Sequence, residues 1–313
     1  MDFGLKNNER VWFVTALVIA VLLLCFGCSR VADRSTVSTV EVQYREVRDD
    51  LGRTIKIPAT IERAISLAPS LTEMIFAIGA GDRLIGVTTY CNYPPQTASI
   101  EKIGDTQTPN IEKIIALKPQ VVFVSTASQL ESFTRTLEEQ GIAVYVSNPK
   151  NLDEVLNDMG HLANLFATKA TADRLAANLS TRVADVDSES QVWLSKNPRQ
   201  KVVIQISNDP LFTAGKDSFL TELVERAGGV SVTKDVPTAY PKLSKETAAA
   251  LNPDVIFLSD SEDNREPNSS FKDSAAVKSG RVYRIDADII SRPGPRLVDA
   301  LEEIASKLME QSK

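Results

Sequence analysis

Two stretches of the chain carry the same pattern: Glu112–Ser125 (EKIIALKPQVVFVS) aligns without gaps to Glu246–Ser259 (ETAAALNPDVIFLS). In each, a short helical segment ends at a proline and is followed by an apolar run typical of a strand buried on both faces. Further matching pieces lie upstream and downstream in the same order: Leu71–Glu73 with Leu220–Glu222, and Val144–Tyr145 with Val282–Tyr283. The repeat is too long for a solenoid and predicts one α/β lobe built twice.

Around these stretches, short β-rich runs alternate with helical spacing, which predicts parallel sheets with helices on their faces. Predicted strands are 64–67, 84–87, 121–124, 143–146 and 202–204; predicted helices are 71–78, 111–117, 132–140 and 152–166. A small hairpin is expected at 47–57, and one long helix from Thr171 to about Lys196 joins the halves. Two similar lobes leave a cleft, where ligands of open α/β sheets collect.

The N-terminal region predicts export. Val11–Gly27 is an apolar run of signal-peptide length, preceded by Lys6 and Arg10. It ends at Phe26-Gly27-Cys28-Ser29, which resembles a bacterial lipobox and predicts lipidation of Cys28. The alternative is an uncleaved signal anchor; under both interpretations the rest of the chain lies outside the cytoplasmic membrane, in the periplasm or at the cell surface, and is tethered to that membrane.

Composition argues against several functions. A formal net charge of −6 indicates no nucleic-acid binder. His161 is the single histidine, and no Cys, His or carboxylate cluster near it has zinc spacing. The chain has no P-loop and no nucleophile elbow. We therefore expect no catalytic residues, no protein-built metal site and no cofactor. Cys91 is an incidental thiol, and no disulfide framework is available to the mature chain.

Several ordered motifs resemble the ferric-siderophore, haem and cobalamin receptors of ABC importers, the class III solute-binding proteins. The motifs are Arg63–Glu73 (RAISLAPSLTE), Gly86–Pro95 (GVTTYCNYPP), Ile111–Pro119 and Phe212–Lys216 (FTAGK). The resemblance covers Asp49 to the C-terminus. It implies an α/β fold of two Rossmann-like lobes with central parallel sheets, bridged by one long α-helix. The implied organisation is signal peptide and lipobox 1–28, tether 29–48, N-terminal lobe 49–168, connecting helix 169–197 and C-terminal lobe 198–313.

The resemblance also implies site residues. Those at family pocket positions are Pro69, Tyr90, Phe212, Tyr240, Asp288 and Arg292. The alternative without ligand binding is that the aromatic residues belong to the core and that Asp288 and Arg292 form a solvated ion pair. The sequence departs from the cobalamin receptors at the pocket tryptophans, whose positions hold Thr106, Ser125 and Tyr240. The departure weakens the cobalamin assignment and leaves the receptor class in place.

Glu112 and Glu246 match family positions that form salt bridges with arginines of the membrane permease, and they are equivalent in the repeat. The alternative for each is a glutamate favoured by the helix macrodipole. We expect a monomeric, tethered receptor that captures a corrinoid and delivers it to a permease, with the metal carried inside the ligand. A ferric siderophore or haem is the alternative ligand. An extracytoplasmic two-lobe enzyme and a sensor without transport are the alternatives from other classes.

Overall fold

A computed structural model of the chain describes residues 43–125 and 131–310. The signal segment, Cys28 and most of the predicted tether lie outside these residues. The described chain begins with an antiparallel hairpin of β1 (Tyr44–Arg48) and β2 (Thr54–Pro58). The hairpin starts before the expected Val47, because backbone pairing begins with Tyr44 opposite Pro58. The Arg45 guanidinium donates hydrogen bonds to the Asn164 and Leu165 carbonyls at a helix end.

The N-terminal lobe is built on a four-stranded parallel sheet. Its strands are β3 (Ala64–Ser66), β4 (Leu84–Val87), β5 (Val121–Ser125) and β6 (Ala143–Ser147), in the spatial order β4-β3-β5-β6. Its helices are α1 (Pro69–Ala77), α2 (Ile111–Leu117), α3 (Glu131–Glu139) and α4 (Leu152–Phe166). Short 3-10 turns at Gly81–Arg83 and Pro95–Ser99 complete the lobe.

The apolar run of β5 is explained by burial on both faces. Val121 and Phe123 belong to the large core shared with the long helices, whereas Val122 and Val124 belong to a second core under the outer helices. Side chains alternate across a strand, so a strand covered on both sides needs apolar residues at every position. Repeat-related Val255 and Phe257 enter the large core in the same way, and Ile256 and Leu258 enter a third core.

The C-terminal lobe repeats this plan with a five-stranded sheet. The strands are β7 (Lys201–Ser207), β8 (Phe212–Thr213), β9 (Val230–Ser231), β10 (Val255–Asp260) and β11 (Val282–Asp286), with order β11-β10-β7-β8 and β9 also paired with β7. Only β8 runs antiparallel to β7 among the described pairs of this sheet. The helices are α6 (Phe219–Arg226), α7 (Lys245–Leu251), α8 (Ala275–Lys278), α9 (Ala287–Ile290) and α10 (Leu297–Met309), with a 3-10 turn at Ser269–Phe271.

One helix, α5 (Lys169–Leu194), joins the lobes with 26 residues, a length of about 39 Å at 1.5 Å per residue. Its buried positions Leu179, Val183 and Val186 form a narrow stripe at helical spacing. Arg182 holds it to α10 through ion pairs of 2.6 Å with Asp299 and with Glu302. The architecture confirms the predicted fold class. Within the described residues, no helix is both long and apolar enough to cross a membrane.

The repeated stretches fold alike. Asn110 and Ser244 cap α2 and α7 by accepting hydrogen bonds from the backbone N–H groups of Lys113 and Thr247. Both helices end in the left-handed conformation, at Lys118 with φ 50° and at Asn252 with φ 40°. A proline follows each of these residues and disfavours the right-handed helical conformation before it. The same capping and termination therefore act in both lobes.

Candidate ligand-binding site

A cavity of about 570 Å³ lies between the two lobes, at the carboxyl ends of the parallel strands. Its volume falls in the range of about 300–1,000 Å³ that is usual for small-molecule sites. The N-terminal lobe contributes Ala68, Pro69, Ser70, Tyr90, Thr106, Ser125, Ser147, Asn148, Pro149 and Lys150. The C-terminal lobe contributes Asp217, Phe219, Ala239, Tyr240, Asp288, Ser291, Arg292 and Pro293.

Strand ends explain why these residues meet. Ser125 and Ser147 are the last residues of β5 and β6, and Pro69 opens α1 just after β3. Asp288 follows the end of β11. The carboxyl ends of parallel strands share one edge of a sheet, so residues far apart in sequence converge there.

Five of the six predicted pocket residues line this cavity: Pro69, Tyr90, Tyr240, Asp288 and Arg292. Phe212 is not among its lining residues. It lies in β8 with Leu211 and Thr213 buried on either side, and its own ring is half-buried. The aromatic ring that the C-terminal lobe brings to the cavity beside Tyr240 belongs to Phe219, the first residue of α6. The repeat could have predicted that Phe219 lies at the cavity, since Phe219 is equivalent to Ser70, which also lines it.

Two tyrosines face the cavity from opposite lobes. Tyr90 is 58% exposed and Tyr240 is 46% exposed, and both are among the large hydrophobic side chains that the described chain leaves most open. Thr106 and Ser125, at the other two positions where the resemblance implies tryptophan in cobalamin receptors, also line the cavity. The lining therefore combines two accessible aromatic faces with hydroxyl, amide and charged groups.

Arg292 is engaged by the protein itself. Its guanidinium donates hydrogen bonds of 2.8 Å to Glu73 Oε1 and to Asn92 Oδ1, and forms a 2.5 Å ion pair with Asp288. Asn92 donates a 2.6 Å hydrogen bond to Asp288 Oδ2, which closes the network. The Arg292 side chain is only 10% exposed. The network fixes Asp288 and Arg292 at the cavity edge, and it spans both lobes.

Glu73 is the buried centre of this network, with a side chain 2% exposed. Arg296 reaches it through hydrogen bonds of 2.8 Å to Oε2 and 2.6 Å to Oε1, and lies 4.2 Å from the ring centroid of Tyr93. The Glu73 carboxylate raises the pKa of Arg296 further above its ordinary value. A buried carboxylate with two guanidinium partners is compensated, so it ties the lobes together at the cavity without a free charge.

Glu112 and Glu246 lie outside the cavity. Each is exposed in the first turn of its helix, α2 and α7. The pKa of Glu246 is lowered, mainly by its own backbone N–H and by the Ser244 hydroxyl. The permease-docking role of these residues stays a prediction.

The two-lobe α/β fold with an interlobe cavity at the strand ends defines the class of solute-binding proteins. The chain matches the periplasmic binding protein family over residues 65–289, and it belongs to that family. It is 30% identical over 313 residues to the ABC transporter substrate-binding lipoprotein YvrC of Bacillus subtilis (strain 168), covering 97% of this chain and 98% of that protein.

Solved structures share the fold of this chain. The periplasmic vitamin B12 binding protein BtuF of Vibrio cholerae is 30% identical, with a TM-score of 0.68, over 79% of this chain and 96% of that chain. The periplasmic heme-binding protein RhuT from Roseiflexus sp. RS-1 is 23% identical, with a TM-score of 0.70, over 81% of this chain and 100% of that chain. The second likeness concerns the fold alone.

Proposed function

We propose that this chain is the extracytoplasmic solute-binding protein of an ABC importer, that it captures a corrinoid between its lobes, and that it delivers the corrinoid to a membrane permease. The observation that carries the ligand class is the pair of accessible tyrosines, Tyr90 and Tyr240, facing one cavity from opposite lobes. A corrin is large and flat, so its site needs aromatic faces and a few placed polar groups. The similarity to the Vibrio cholerae vitamin B12 binding protein supports the same ligand.

Polar groups complete such a site. Asp288, fixed by Arg292 and Asn92, presents a carboxylate at the cavity edge, and Ser70, Thr106 and Ser125 add hydroxyl groups. These groups suit the peripheral amides of a corrinoid, which both donate and accept hydrogen bonds. We expect any metal ion of the cargo to arrive inside the ligand.

Haem is the second candidate, favoured by the same two tyrosines. A tyrosine oxygen is one of the axial ligands that proteins offer to haem iron. His161, the single histidine, is not among the residues that line this cavity. A haem bound here would therefore take Tyr90 or Tyr240 as its protein ligand.

Capture requires no chemistry, so we propose a receptor and not an enzyme. Closure over the ligand produces a shape that the permease distinguishes from the ligand-free protein. Glu112 and Glu246 are the proposed docking residues, one on each lobe.

Membership of the periplasmic binding protein family supports the extracytoplasmic location. Tethering through Cys28 is proposed, and Cys28 lies outside the described residues.

The test is ligand co-elution. The full chain, purified in a mild detergent, is mixed with cyanocobalamin, haem or a panel of ferric siderophores and run through gel filtration with visible absorbance detection. Stoichiometric elution of cyanocobalamin, recovered with unchanged mass, is the expected result. Elution of haem or an iron chelate instead overturns the corrinoid ligand and keeps the receptor class. A ligand recovered in altered form overturns the receptor in favour of an enzyme.

A further inference from the structure

A second cavity, of about 370 Å³, lies next to the ligand cavity in the N-terminal lobe. The two cavities share the segment Asn148–Lys150, which follows β6. The remaining residues that line the second cavity are Asp50, Glu154, Asn157, Asp158 and His161. Asp50 comes from the turn of the β1–β2 hairpin, and the others come from α4. No feature of the proposed transport function uses this group of residues.

Three of these side chains converge. One carboxylate oxygen each from Asp50 and Asp158 and one imidazole nitrogen of His161 lie within 4.8 Å of one another. Asp158 and His161 are three residues apart on α4, so they share one face of the helix. Asp50 lies against them because its backbone N–H bonds to Val146 O at 3.1 Å and its carboxylate accepts a 2.6 Å hydrogen bond from Asn148 N–H.

Asp158 supplies an independent observation. The residue is 2% exposed, and its Oδ2 accepts a 2.5 Å hydrogen bond from the Ser147 hydroxyl. Its other oxygen, Oδ1, is buried and has no hydrogen-bond partner among residues 43–125 and 131–310. A buried polar atom without a partner is costly in either protonation state of the carboxyl, and such atoms are rare in native proteins. A cation beside Asp158 removes that cost.

We infer that Asp50, Asp158 and His161 form a binding site for a divalent transition-metal cation of the zinc type. One imidazole and two carboxylates are a ligand set that zinc accepts, and three protein ligands leave a fourth position for water. A tetrahedral zinc ion holds its ligand atoms about 3.4 Å apart, at ligand distances of about 2.0–2.2 Å. Asp50 and His161 are exposed, so a shift of their side chains towards the buried Asp158 would close the remaining gap.

The charges of the cavity favour this cation. Carboxylates of Asp50 and Glu154 line it beside the buried carboxyl group of Asp158, against the one ammonium group of Lys150 among its lining residues. That ammonium group donates a 2.6 Å hydrogen bond to Asn148 Oδ1. The inference departs from the expectation, drawn from the sequence, that the chain builds no metal site. The Asp158–His161 spacing is visible in the sequence, but the contribution of Asp50 is not.

The experiment uses the single histidine. The full chain in detergent, carrying a histidine-free purification tag, is stripped with EDTA and titrated with ZnCl₂ while bound zinc is measured by mass spectrometry. The imidazole resonances of His161 are followed by NMR in the same titration. The expected result is one zinc per chain, with the His161 resonances shifting in proportion to occupancy.

Variants localise the site. His161→Gln and Asp158→Asn are expected to weaken zinc binding at least about ten-fold, and circular dichroism checks that each variant is folded. His161 is solvent-exposed, so its substitution is expected to disturb folding less than that of the buried Asp158. Asp153→Asn, which removes an exposed carboxylate from the same helix outside the cavity, is the matched control and is expected to bind zinc as the wild type does. Absence of saturable zinc binding, unmoved His161 resonances at saturation, or wild-type binding by both ligand variants overturns the proposal.

Discussion

Glu73 and Glu222 occupy equivalent positions in the two copies of the repeat, and each carboxylate bonds to the opposite lobe. Glu73 accepts from Arg292 and Arg296 of the C-terminal lobe. Glu222 accepts a 3.0 Å hydrogen bond from the backbone N–H of Leu152, at the start of α4. One sequence position, used twice, therefore supplies a contact from each lobe to the other, beside further crossing contacts such as the Asn92–Asp288 hydrogen bond and the Asp153–Arg226 ion pair.

The two contacts differ in burial, which predicts different energies. Glu73→Ala removes the carboxylate partner of the largely buried Arg296 guanidinium, whereas Arg292 keeps its ion pair with Asp288, and we expect a loss of about 3–5 kcal/mol in the free energy of unfolding. Glu222→Ala removes one helix-capping bond, and Arg226 keeps its 2.7 Å ion pair with Asp187, so we expect a loss of about 1–2 kcal/mol. Urea unfolding followed by circular dichroism measures both. Equal losses contradict this account of the two contacts.

Asp158 predicts a pH dependence of stability. Burial raises the pKa of its carboxyl to about 7, the nearby Asp50 adds to the rise, and the Ser147 hydroxyl opposes it. The unfolded chain releases this proton near the ordinary aspartate pKa of 3.8. Between these values the folded protein holds a proton that the unfolded chain has lost, so stability falls as pH rises through the window.

The size of this effect is at most about 4 kcal/mol, at 1.36 kcal/mol for each pKa unit. Asp158→Asn removes the titration. In EDTA, the free energy of unfolding of the variant minus that of the wild type is therefore expected to rise from pH 4 to pH 7 and then level off. Asp153→Asn is the control and is expected to show no such trend. The comparison uses urea unfolding at a series of pH values. A constant difference between the wild type and Asp158→Asn shows that Asp158 ionises in the folded protein at its ordinary pKa.

Docking on the permease predicts a loss of transport without a loss of binding. The double variant Glu112→Ala with Glu246→Ala is expected to bind ligand as the wild type does and to abolish uptake, because both residues are exposed and lie outside the cavity. Uptake of labelled cobalamin is measured in a deletion strain that carries each variant. Glu139→Ala with Glu189→Ala, two other exposed helical glutamates, is the control. Normal uptake by the Glu112/Glu246 variant refutes the docking role.

The sequence predicted several elements of this fold well because their signals are local. The strand 84–87 and the helices 111–117 and 152–166 have the predicted bounds. Apolar runs, caps and prolines within each segment determine these elements. The strand 143–146 is one residue longer than predicted, ending at Ser147, and this residue reaches both the cavity and Asp158.

The contacts between distant segments were not predictable in this way. Glu73 and Arg292 are 219 residues apart, and nothing in either neighbourhood indicates that they meet. Phe212 lies in a two-residue strand. The motif around it does not specify which of the two side chains points towards the cavity. Phe219 lines the cavity as the repeat equivalent of Ser70. Asp50 lies near Asp158 because the β1–β2 hairpin packs against the first lobe. Pairing across lobes is set by packing, whereas element type is set by local pattern.

The most direct test of the central claim is an equilibrium titration of cyanocobalamin against the full chain in detergent. The wild type is compared with Tyr90→Ala combined with Tyr240→Ala, and with Tyr44→Ala, which removes an exposed tyrosine from the hairpin outside the cavity. The corrinoid assignment predicts stoichiometric binding by the wild type and by Tyr44→Ala, and an affinity about five-fold to 100-fold weaker for the double variant, since each lost ring contact is worth about 0.5–1.5 kcal/mol. Cobalamin binding that the double variant retains in full would contradict it.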